Sequence, residues 1–243
     1  MTANSTTAVD RMRPIVAKAR HAAARAVEMP GLRYNRVEAW WYDMRNHVET
    51  RGKASMRDMG TTGDAGEHGT GYQGVNARHF HKVFDSLAIP RDTTFIDIGA
   101  GKGKVVLLAA KAGFRRVVGV DVVESLCDVA RTNVATLGPL AARCEIVACD
   151  ALQYGFTDEN VFFLNNPFDA DFLAAMLDRI DASLAARPRP AWLVYANPSW
   201  LGAIARHPVW TGARRFHLWG PGRDMVVFAY EAPRGAGADA TSR

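Results

Sequence analysis

The sequence predicts an α/β protein with a mostly parallel sheet, and three observations lead to this fold class. From Thr93 onward, short apolar runs alternate with helical segments, which is typical of βαβ units. These runs are apolar on both faces, as strands buried inside a parallel sheet must be. The last two runs, at about residues 213–219 and 224–231, are joined by only four residues, so they must be antiparallel to each other.

The alternation yields seven strands. Five of them read TFIDIG, RVVGVD, EIVACD, VFFLNN and AWLVYAN, and the antiparallel pair completes the set. Glycines at 113 and 138 stand where the helices between the first strands should end. We therefore expect helices on the faces of one sheet.

Composition excludes several classes of protein. The chain has 243 residues, of which 48% are hydrophobic and 23% charged, so it is neither disordered, collagenous nor a coiled coil. It contains no run of ~18 apolar residues, so no membrane span is predicted. Three cysteines at irregular spacing fit neither a disulfide framework nor a zinc site. A reducing, cytoplasmic compartment is the expectation that follows.

The net charge of +5 is concentrated in the first 60 residues, which hold 11 Lys or Arg and 6 Asp or Glu. The remaining chain is neutral. We interpret the excess as a solvated basic face, and attraction of an acidic partner is the alternative.

The chain divides into three predicted regions. Residues 1–75 form an N-terminal helical region with a glycine-rich loop, residues 76–231 form the main domain, and residues 232–243 form a disordered tail. In the first region, an apolar stripe from Val9 to Val27 predicts one helix. A second helix is predicted to start at Asn35, with Glu38 completing a capping box.

The second predicted helix has a wide apolar face that we expect to pack on the main domain: Val37, Trp40, Trp41, Met44 and Val48. Residues 60–74 follow as a glycine-rich linker or flap. A further helix begins near Asn76 and turns its apolar residues inward.

A glycine-rich loop follows the first strand of the main domain. The strand ends in Asp97, and three spaced glycines, Gly99, Gly101 and Gly103, lead into a helix. Such a loop lets a ligand approach the backbone at a helix N-terminus. The spacing Gly-x-Gly-x-Gly differs from the dinucleotide fingerprint and from the Walker pattern, which disfavours a nicotinamide oxidoreductase.

Acidic residues close the first three predicted strands. Asp97 lies at the end of the first, Asp121 ends the second and Asp150 ends the third. The carboxyl ends of parallel strands share one edge of the sheet, where such folds bind ligands. We therefore expect the three carboxylates to line one ligand site.

This set of motifs resembles the class I, seven-strand, S-adenosylmethionine-dependent methyltransferases over about residues 90–231. The resemblance implies a Rossmann-like three-layer sandwich with strand order 3-2-1-4-5-7-6 and an antiparallel last strand. It implies that Asp97 and the three glycines of its loop cradle S-adenosyl-L-methionine. Asp121 would bind the ribose, Asp150 the adenine, and Asp97 would lie near the methionine end.

The fourth strand ends in Asn165-Asn166-Pro167-Phe168. This ending resembles the Asn/Asp-Pro-Pro-Tyr/Phe element of amino-methylating members, with one proline fewer. It also resembles the Asn-Asn-x-x-Phe element of the non-SET histone-lysine methyltransferases and of their bacterial relatives. The resemblance implies that Asn166, Pro167 and Phe168 form the catalytic element, and that Asn165 and Tyr72 contact the cofactor.

An Asn-Pro element suits an amine acceptor, because its oxygens accept N–H bonds and aim the nitrogen lone pair at the methyl group. A protein lysine is the acceptor that we expect. A small-molecule acceptor and a non-catalytic cofactor-binding module are the alternatives. A nucleic-acid substrate is not favoured, since no basic stripe appears in the main domain. No metal is expected, and the sequence does not define an oligomeric state.

Overall fold

The structure is a computed structural model that describes residues 34–54, 72–165, 169–218 and 224–231. A two-stranded antiparallel ribbon is formed by β1 (Lys53–Ala54) and β2 (Tyr72–Gln73). The main sheet consists of β3 (Thr94–Ile98), β4 (Arg116–Asp121), β5 (Cys144–Ala148), β6 (Glu159–Asn165), β7 (Trp192–Ala196), β8 (Trp210–Phe216) and β9 (Met225–Tyr230).

The main sheet has seven strands in the order β5-β4-β3-β6-β7-β9-β8. Counted along the chain from β3, this is the order 3-2-1-4-5-7-6. The strands from β3 to β7 pair in parallel, and β9 is antiparallel to both β7 and β8. The predicted fold class, strand order and antiparallel last strand are confirmed.

Helices cover both faces of this sheet. They are α1 (residues 34–46), α2 (Ala77–Phe84), α3 (Lys104–Lys111), α4 (Glu124–Ala135), α5 (Ala170–Ala186) and the short α6 (Leu201–Ile204), with a 3-10 turn at Gly138–Arg143. Gly113 and Gly138 adopt positive φ after α3 and α4, as expected of helix-ending glycines.

Two apolar cores lie on opposite faces of the sheet. The core under α2 and α3 contains five mutually packed, fully buried phenylalanine rings: Phe80, Phe84, Phe95, Phe114 and Phe163. The core on the other face is built on α5. The expectation that α2 begins after Asn76 and turns its apolar residues inward is confirmed: the Asn76 side chain caps the helix.

Helix α1 begins differently from the prediction. Tyr34 and Asn35 are already helical, so Asn35 is not the N-cap and the predicted capping box is wrong. The Glu38 carboxylate instead accepts a hydrogen bond from the backbone N–H of Ala77, at 3.0 Å. Asn35 accepts one from the side chain of Asn76, at 2.8 Å. Both side chains therefore hold α1 against the start of α2.

The apolar face of α1 does not pack on the main domain, contrary to our expectation. Val37, Trp40, Trp41 and Met44 are between 46% and 60% exposed, and of the predicted face only Val48 packs against the core. The face that does dock carries Asn35, Glu38, Tyr42 and Asn46.

The docked face of α1 is held by a buried ion pair. The Lys104 ammonium lies 3.2 Å from Glu38 and 4.5 Å from the centre of the Tyr42 ring. Burial lowers the pKa of Lys104, while the Glu38 carboxylate acts in the opposite direction. Lys104 had been interpreted as a solvated residue of the helix start, and that interpretation is wrong. Lys111 contacts Asn46 at the other end of α3.

Several predictions fall on residues outside the described ranges: the helix from Val9 to Val27, most of the loop at residues 60–74 and the tail at residues 232–243. The three-region division of the chain stays a prediction. Within the described ranges, no helix combines the length and the apolar character needed to cross a membrane.

Candidate functional site

The carboxyl ends of β3, β4, β5 and β6 form one edge of the sheet, which we call the ligand edge. Asp97 lies within β3 and pairs in register with Gly119, so the end of β4 at Asp121 stands level with Gly99. Asp121 pairs with Ala148, the last residue of β5. Asp150 follows two residues later, so it lies in the turn beyond the strand and does not end the strand as predicted.

The glycine loop is bound tightly to the end of β4. The amides of Gly99 and Ala100 both donate to the carbonyl oxygen of Val120, at 2.8 and 2.9 Å. All three predicted glycines of the loop have positive φ: 81° at Gly99, 52° at Gly101 and 78° at Gly103. This is the left-handed region that favours glycine.

Gly103 also serves as the N-cap of α3, and space there is limited. A Cβ atom on Gly103 would lie 3.0 Å from the Cβ of Ala130 in α4. The loop can therefore approach α4 only because position 103 has no side chain. This close packing brings the N-terminus of α3 to the ligand edge, where its backbone N–H groups favour a ligand with anionic or polar oxygens.

Asp121 connects the glycine loop to the start of α4. One carboxylate oxygen accepts from the Gly101 amide at 2.7 Å, and the other accepts from the Val123 amide at 2.9 Å. Burial raises the pKa of Asp121, and the backbone hydrogen bonds act in the opposite direction. Each oxygen keeps a second lone pair, so the carboxylate can still accept hydroxyl groups of a ligand.

Asp97 is 3% exposed, and the nearest charge acting on it is the carboxylate of Asp121. Burial and this like charge raise the pKa of Asp97 well above its usual value. A carboxylate in such surroundings is suited to receive a cationic group, which would compensate its charge.

Asp150 is less buried than the other two acids and holds a local turn. Its carboxylate accepts from the Leu152 amide at 2.8 Å, and its carbonyl oxygen accepts from the Gln153 amide at 2.8 Å. The turn keeps Asp150 beside the end of β5. The three acidic residues are therefore brought to one edge, as the sequence predicted.

Asn165 ends β6 and is tied to the neighbouring strand. Its side-chain oxygen accepts from the side-chain amide of Asn197, at 2.6 Å. Asn197 follows β7 and has φ of 49°, an uncommon value for a residue other than glycine. Sequence reasoning did not select Asn197, although Asn197-Pro198 repeats the Asn-Pro pattern that follows β6.

The predicted catalytic residues Asn166, Pro167 and Phe168 lie outside the described residues. Only the backbone of Tyr72 is described: it pairs with Ala54 in the β1–β2 ribbon. The roles assigned to these four residues stay predictions.

A polar clamp, which sequence reasoning missed, holds residues 49–51 against the glycine loop. The Asn133 side chain donates to the carbonyl oxygens of Glu49 and Lys102, at 3.0 and 2.9 Å, and accepts from the Glu49 amide at 2.9 Å. The ammonium of Lys102 contacts Glu49 and the Arg51 carbonyl. The available signal was an asparagine on the otherwise apolar buried stripe of α4.

Asp43 fixes the same segment from the other side. It is 3% exposed and accepts from the amides of Thr50 and Arg51, at 3.0 and 3.1 Å, and from the Thr50 hydroxyl at 2.6 Å. Residues 49–51 are thus held between α1 and the glycine loop. The N-terminal region therefore contributes structure beside the ligand edge.

No group of three or more His, Cys, Asp or Glu side chains with the geometry of a metal site occurs within the described ranges. The donor set of the ligand edge consists instead of carboxylates, an asparagine and backbone amides. Such a set fits a ligand with hydroxyl, amino and ammonium groups.

The fold and the ligand edge together define a class I S-adenosylmethionine-dependent methyltransferase domain. Residues 95–187 match a family model described as a methyltransferase domain, so the chain contains that domain. The residues present fit the cofactor of this class: glycines at 99, 101 and 103 leave room for its backbone contacts, and Asp97, Asp121 and Asp150 stand where its polar groups need acceptors.

One curated relative is a histone-lysine N-methyltransferase from Dictyostelium discoideum, specific for lysine 79 of histone H3. It is 33% identical over 99 residues, covering 35% of this chain and 5% of that protein. This chain therefore spans a small part of that relative.

Solved structures share the fold. The mitomycin 7-O-methyltransferase matches with a TM-score of 0.51 and 18% identity, over 64% of this chain and 54% of that one. An RNA methyltransferase from Salinibacter ruber, in complex with S-adenosyl-L-homocysteine, matches with a TM-score of 0.47 and 21% identity, over 65% of this chain and 92% of that one.

Proposed function

We propose that this protein transfers the methyl group of S-adenosylmethionine to an amine nitrogen, and that the acceptor is a lysine side chain of a protein. One observation carries the proposal: the strand that leads into Asn166-Pro167-Phe168 ends beside the glycine loop. Ile98 pairs with Leu164, so Asn165 stands level with Gly99. The acceptor element thus follows in the chain from the point where the cofactor's reactive end is expected.

The cofactor would be held by residues of three adjacent strands. The glycine loop would follow its methionine portion, Asp121 would accept its ribose hydroxyls and Asp150 its adenine amino group. Asp97 would face the cationic ammonium group, which compensates the buried carboxylate. When bound, the cofactor supplies a methyl group already activated by its sulfonium.

The protein's part in transfer is to position the amine and to exclude water. The Asn166 side-chain oxygen and the carbonyl oxygens of Asn166 and Pro167 would accept N–H bonds of a neutral amine and stabilise the charge that develops on nitrogen. In the transfer, the S–CH₃ bond breaks as the N–CH₃ bond forms, and the product amine then loses a proton to water. Phe168 would contact the cationic amine through its ring face.

A protein acceptor is supported by the stretch of 99 residues shared with a histone-lysine N-methyltransferase. It is also supported by the Asn-Asn-x-x-Phe pattern at Asn165–Phe168. We assign the activity to the cytoplasm, since Cys127, Cys144 and Cys149 are all free thiols, as a reducing compartment requires.

The test uses S-adenosylmethionine with a radioactive methyl group, incubated with the purified protein and a lysate of its source. Products are separated into protein, nucleic-acid and small-molecule fractions. We expect label in protein, at lysine after acid hydrolysis, and loss of that label in Asn166→Ala with unchanged affinity for S-adenosylhomocysteine.

Asn160→Ala is the matched control, because Asn160 lies at the other end of the same strand and binds only the Thr94 amide and the Pro190 carbonyl. This variant should keep the activity. Label confined to small molecules or to nucleic acid would overturn the lysine acceptor. No label in any fraction, with cofactor binding intact, would favour a non-catalytic cofactor-binding module.

A further inference from the structure

Helix α1 is amphipathic with its apolar face turned outward. The residues that dock it recur at helical spacing and are polar: Asn35, Glu38, Tyr42 and Asn46 contact α2 or α3. The opposite stripe carries the exposed Val37, Trp40, Trp41 and Met44. Burial of these four side chains would be favourable, so a contiguous exposed set on one helix marks an interaction site.

The exposed stripe borders a groove of about 340 Å³. Val37 and Trp41 form part of its wall, and Tyr34, Arg45 and Arg78 also line it. A concave, mainly apolar surface of this volume accepts side chains of a partner. Trp, Tyr, Met and Arg are the residue types enriched in the binding hot spots and cores of protein interfaces.

The charge on this side of α1 is positive. Arg45 lies over the Trp41 ring and Arg78 over the Tyr34 ring, both at 5.9 Å. Neither guanidinium has an ion-pair partner within the described part of the chain. The two acidic residues of α1 are committed elsewhere: Glu38 pairs with Lys104, and Asp43 binds the backbone of residues 50 and 51.

We infer that the groove and stripe on α1 bind an acidic, amphipathic helical segment of another protein. Apolar residues of that segment would enter the groove at one-turn intervals, as in other helix-in-groove complexes. Its carboxylates would pair with Arg45 and Arg78 at the rim. This surface is built on α1 and α2, so the inference does not depend on the identity of the methyl acceptor.

Charge argues for an outside partner over the chain's own N-terminal residues. Residues 1–33 contain six cationic side chains and only two acidic ones, Asp10 and Glu28. Placing that segment beside Arg45 and Arg78 would bring like charges together. The concave shape likewise favours a protein segment over a flat lipid surface.

The test uses a synthetic, fluorescein-labelled helical peptide of 18 residues with leucines on one face and glutamates on the other. A second peptide has lysines in place of the glutamates. With the full chain, we expect the glutamate peptide to bind with a Kd of about 10–100 μM by fluorescence anisotropy. The lysine peptide should bind at least tenfold more weakly, and affinity for the glutamate peptide should fall as salt increases.

Two variants locate the binding. Trp41→Ser and the double variant Arg45→Glu/Arg78→Glu should each weaken binding of the glutamate peptide at least tenfold and leave affinity for S-adenosylhomocysteine unchanged. Trp200→Ser is the matched control, because Trp200 is also exposed, at 42%, but lies outside the stripe. That control should bind the peptide as the wild type does.

Four results would overturn the inference. These are equal binding of the two peptides, no binding of the glutamate peptide, and binding that Trp41→Ser leaves intact. The fourth is a preference for vesicles of phosphatidylcholine and phosphatidylglycerol, lost in Trp41→Ser, which would assign the stripe to a membrane surface. Sedimentation of the chain as a dimer that Trp41→Ser converts to a monomer would assign the stripe to a second copy and would likewise overturn it.

Discussion

The two edges of the sheet treat buried acidic groups in opposite ways. At the edge where the strands begin, which we call the amino edge, Glu159 is fully buried and both of its oxygens are occupied. They accept from the Tyr154 hydroxyl at 2.9 Å and from the Thr157 amide at 2.7 Å. At the ligand edge, Asp97 is equally inaccessible, yet the charge that acts on it is another carboxylate.

The same contrast extends to neighbouring groups. Asp181, below the start of β8, accepts from the Trp210 indole at 2.8 Å and contacts His207 at 2.7 Å. Asp158 contacts Arg116 at 3.0 Å. Buried or half-buried acids on the amino edge are therefore satisfied within the protein. Those of the ligand edge depend in part on a ligand to become satisfied, which is what distinguishes a binding site from a structural network.

The largest effect that we expect is on stability at the amino edge. Glu159→Ala removes the acceptor of the Tyr154 hydroxyl and of the Thr157 amide, so we expect a loss of about 4 kcal/mol in the free energy of unfolding. Urea denaturation monitored by tryptophan fluorescence measures it. Glu159→Gln, which keeps one acceptor oxygen, should lose less, and cofactor affinity below the unfolding transition should be unchanged. A loss under about 1 kcal/mol would mean that this network is not structural.

Much of this contrast could be predicted from the sequence. The strand pattern, the glycine loop and the positions of Asp97 and Asp121 follow from local signals, because buried parallel strands are apolar throughout and ligand loops need glycine. Asp150 was predicted at a strand end and lies two residues beyond it, since polar residues near a strand end do not define its boundary.

The orientation of α1 could not be predicted in this way. An amphipathic pattern shows that a helix has two faces, but the partner decides which face docks. Here the partners of Glu38 are the ammonium of Lys104 and the amide of Ala77, which lie 66 and 39 residues further along the chain. The clamp at Asn133 likewise joins side-chain and backbone groups 84 residues apart.

The next largest effect concerns cofactor affinity at the ligand edge. Asp121→Ala removes the proposed ribose acceptor and releases the amides of Gly101 and Val123, so affinity for S-adenosylhomocysteine should fall about 100-fold. Isothermal titration calorimetry measures this change. Asp121→Asn keeps one acceptor oxygen and should lose about tenfold. Asp158→Ala, on the amino edge, is the control and should bind as the wild type does; a loss there equal to that of Asp121→Ala would contradict the assignment.

Asp97→Asn should move stability and affinity in opposite directions. The raised pKa of Asp97 means that the folded protein retains a proton that the unfolded chain releases above about pH 4. Its contribution to stability is therefore present at low pH and is lost as pH rises through the raised pKa. Asn cannot ionise, so the variant should unfold about 1–2 kcal/mol less readily than the wild type at pH 8.

The affinity of Asp97→Asn provides the second half of that test. A cationic ammonium group favours ionised Asp97, so wild-type affinity for S-adenosylhomocysteine should rise as Asp97 loses its proton. The variant should bind about tenfold more weakly at pH 8, with a flatter pH profile. Calorimetry between pH 6 and pH 9 measures both. If the variant bound as tightly as the wild type throughout, Asp97 would not face the ammonium group.

The smallest effect is expected from the exposed ion pairs of the amino edge. Arg116 contacts Asp158 at 3.0 Å and Glu145 at 2.7 Å, but all three side chains are more than a third exposed, so water and salt screen the attraction. Arg116→Ala should therefore cost at most about 1 kcal/mol in urea denaturation, less in high salt, with cofactor affinity unchanged. A loss as large as that of Glu159→Ala would show that the exposed pairs, and not the buried hydrogen bonds to Glu159, stabilise this edge.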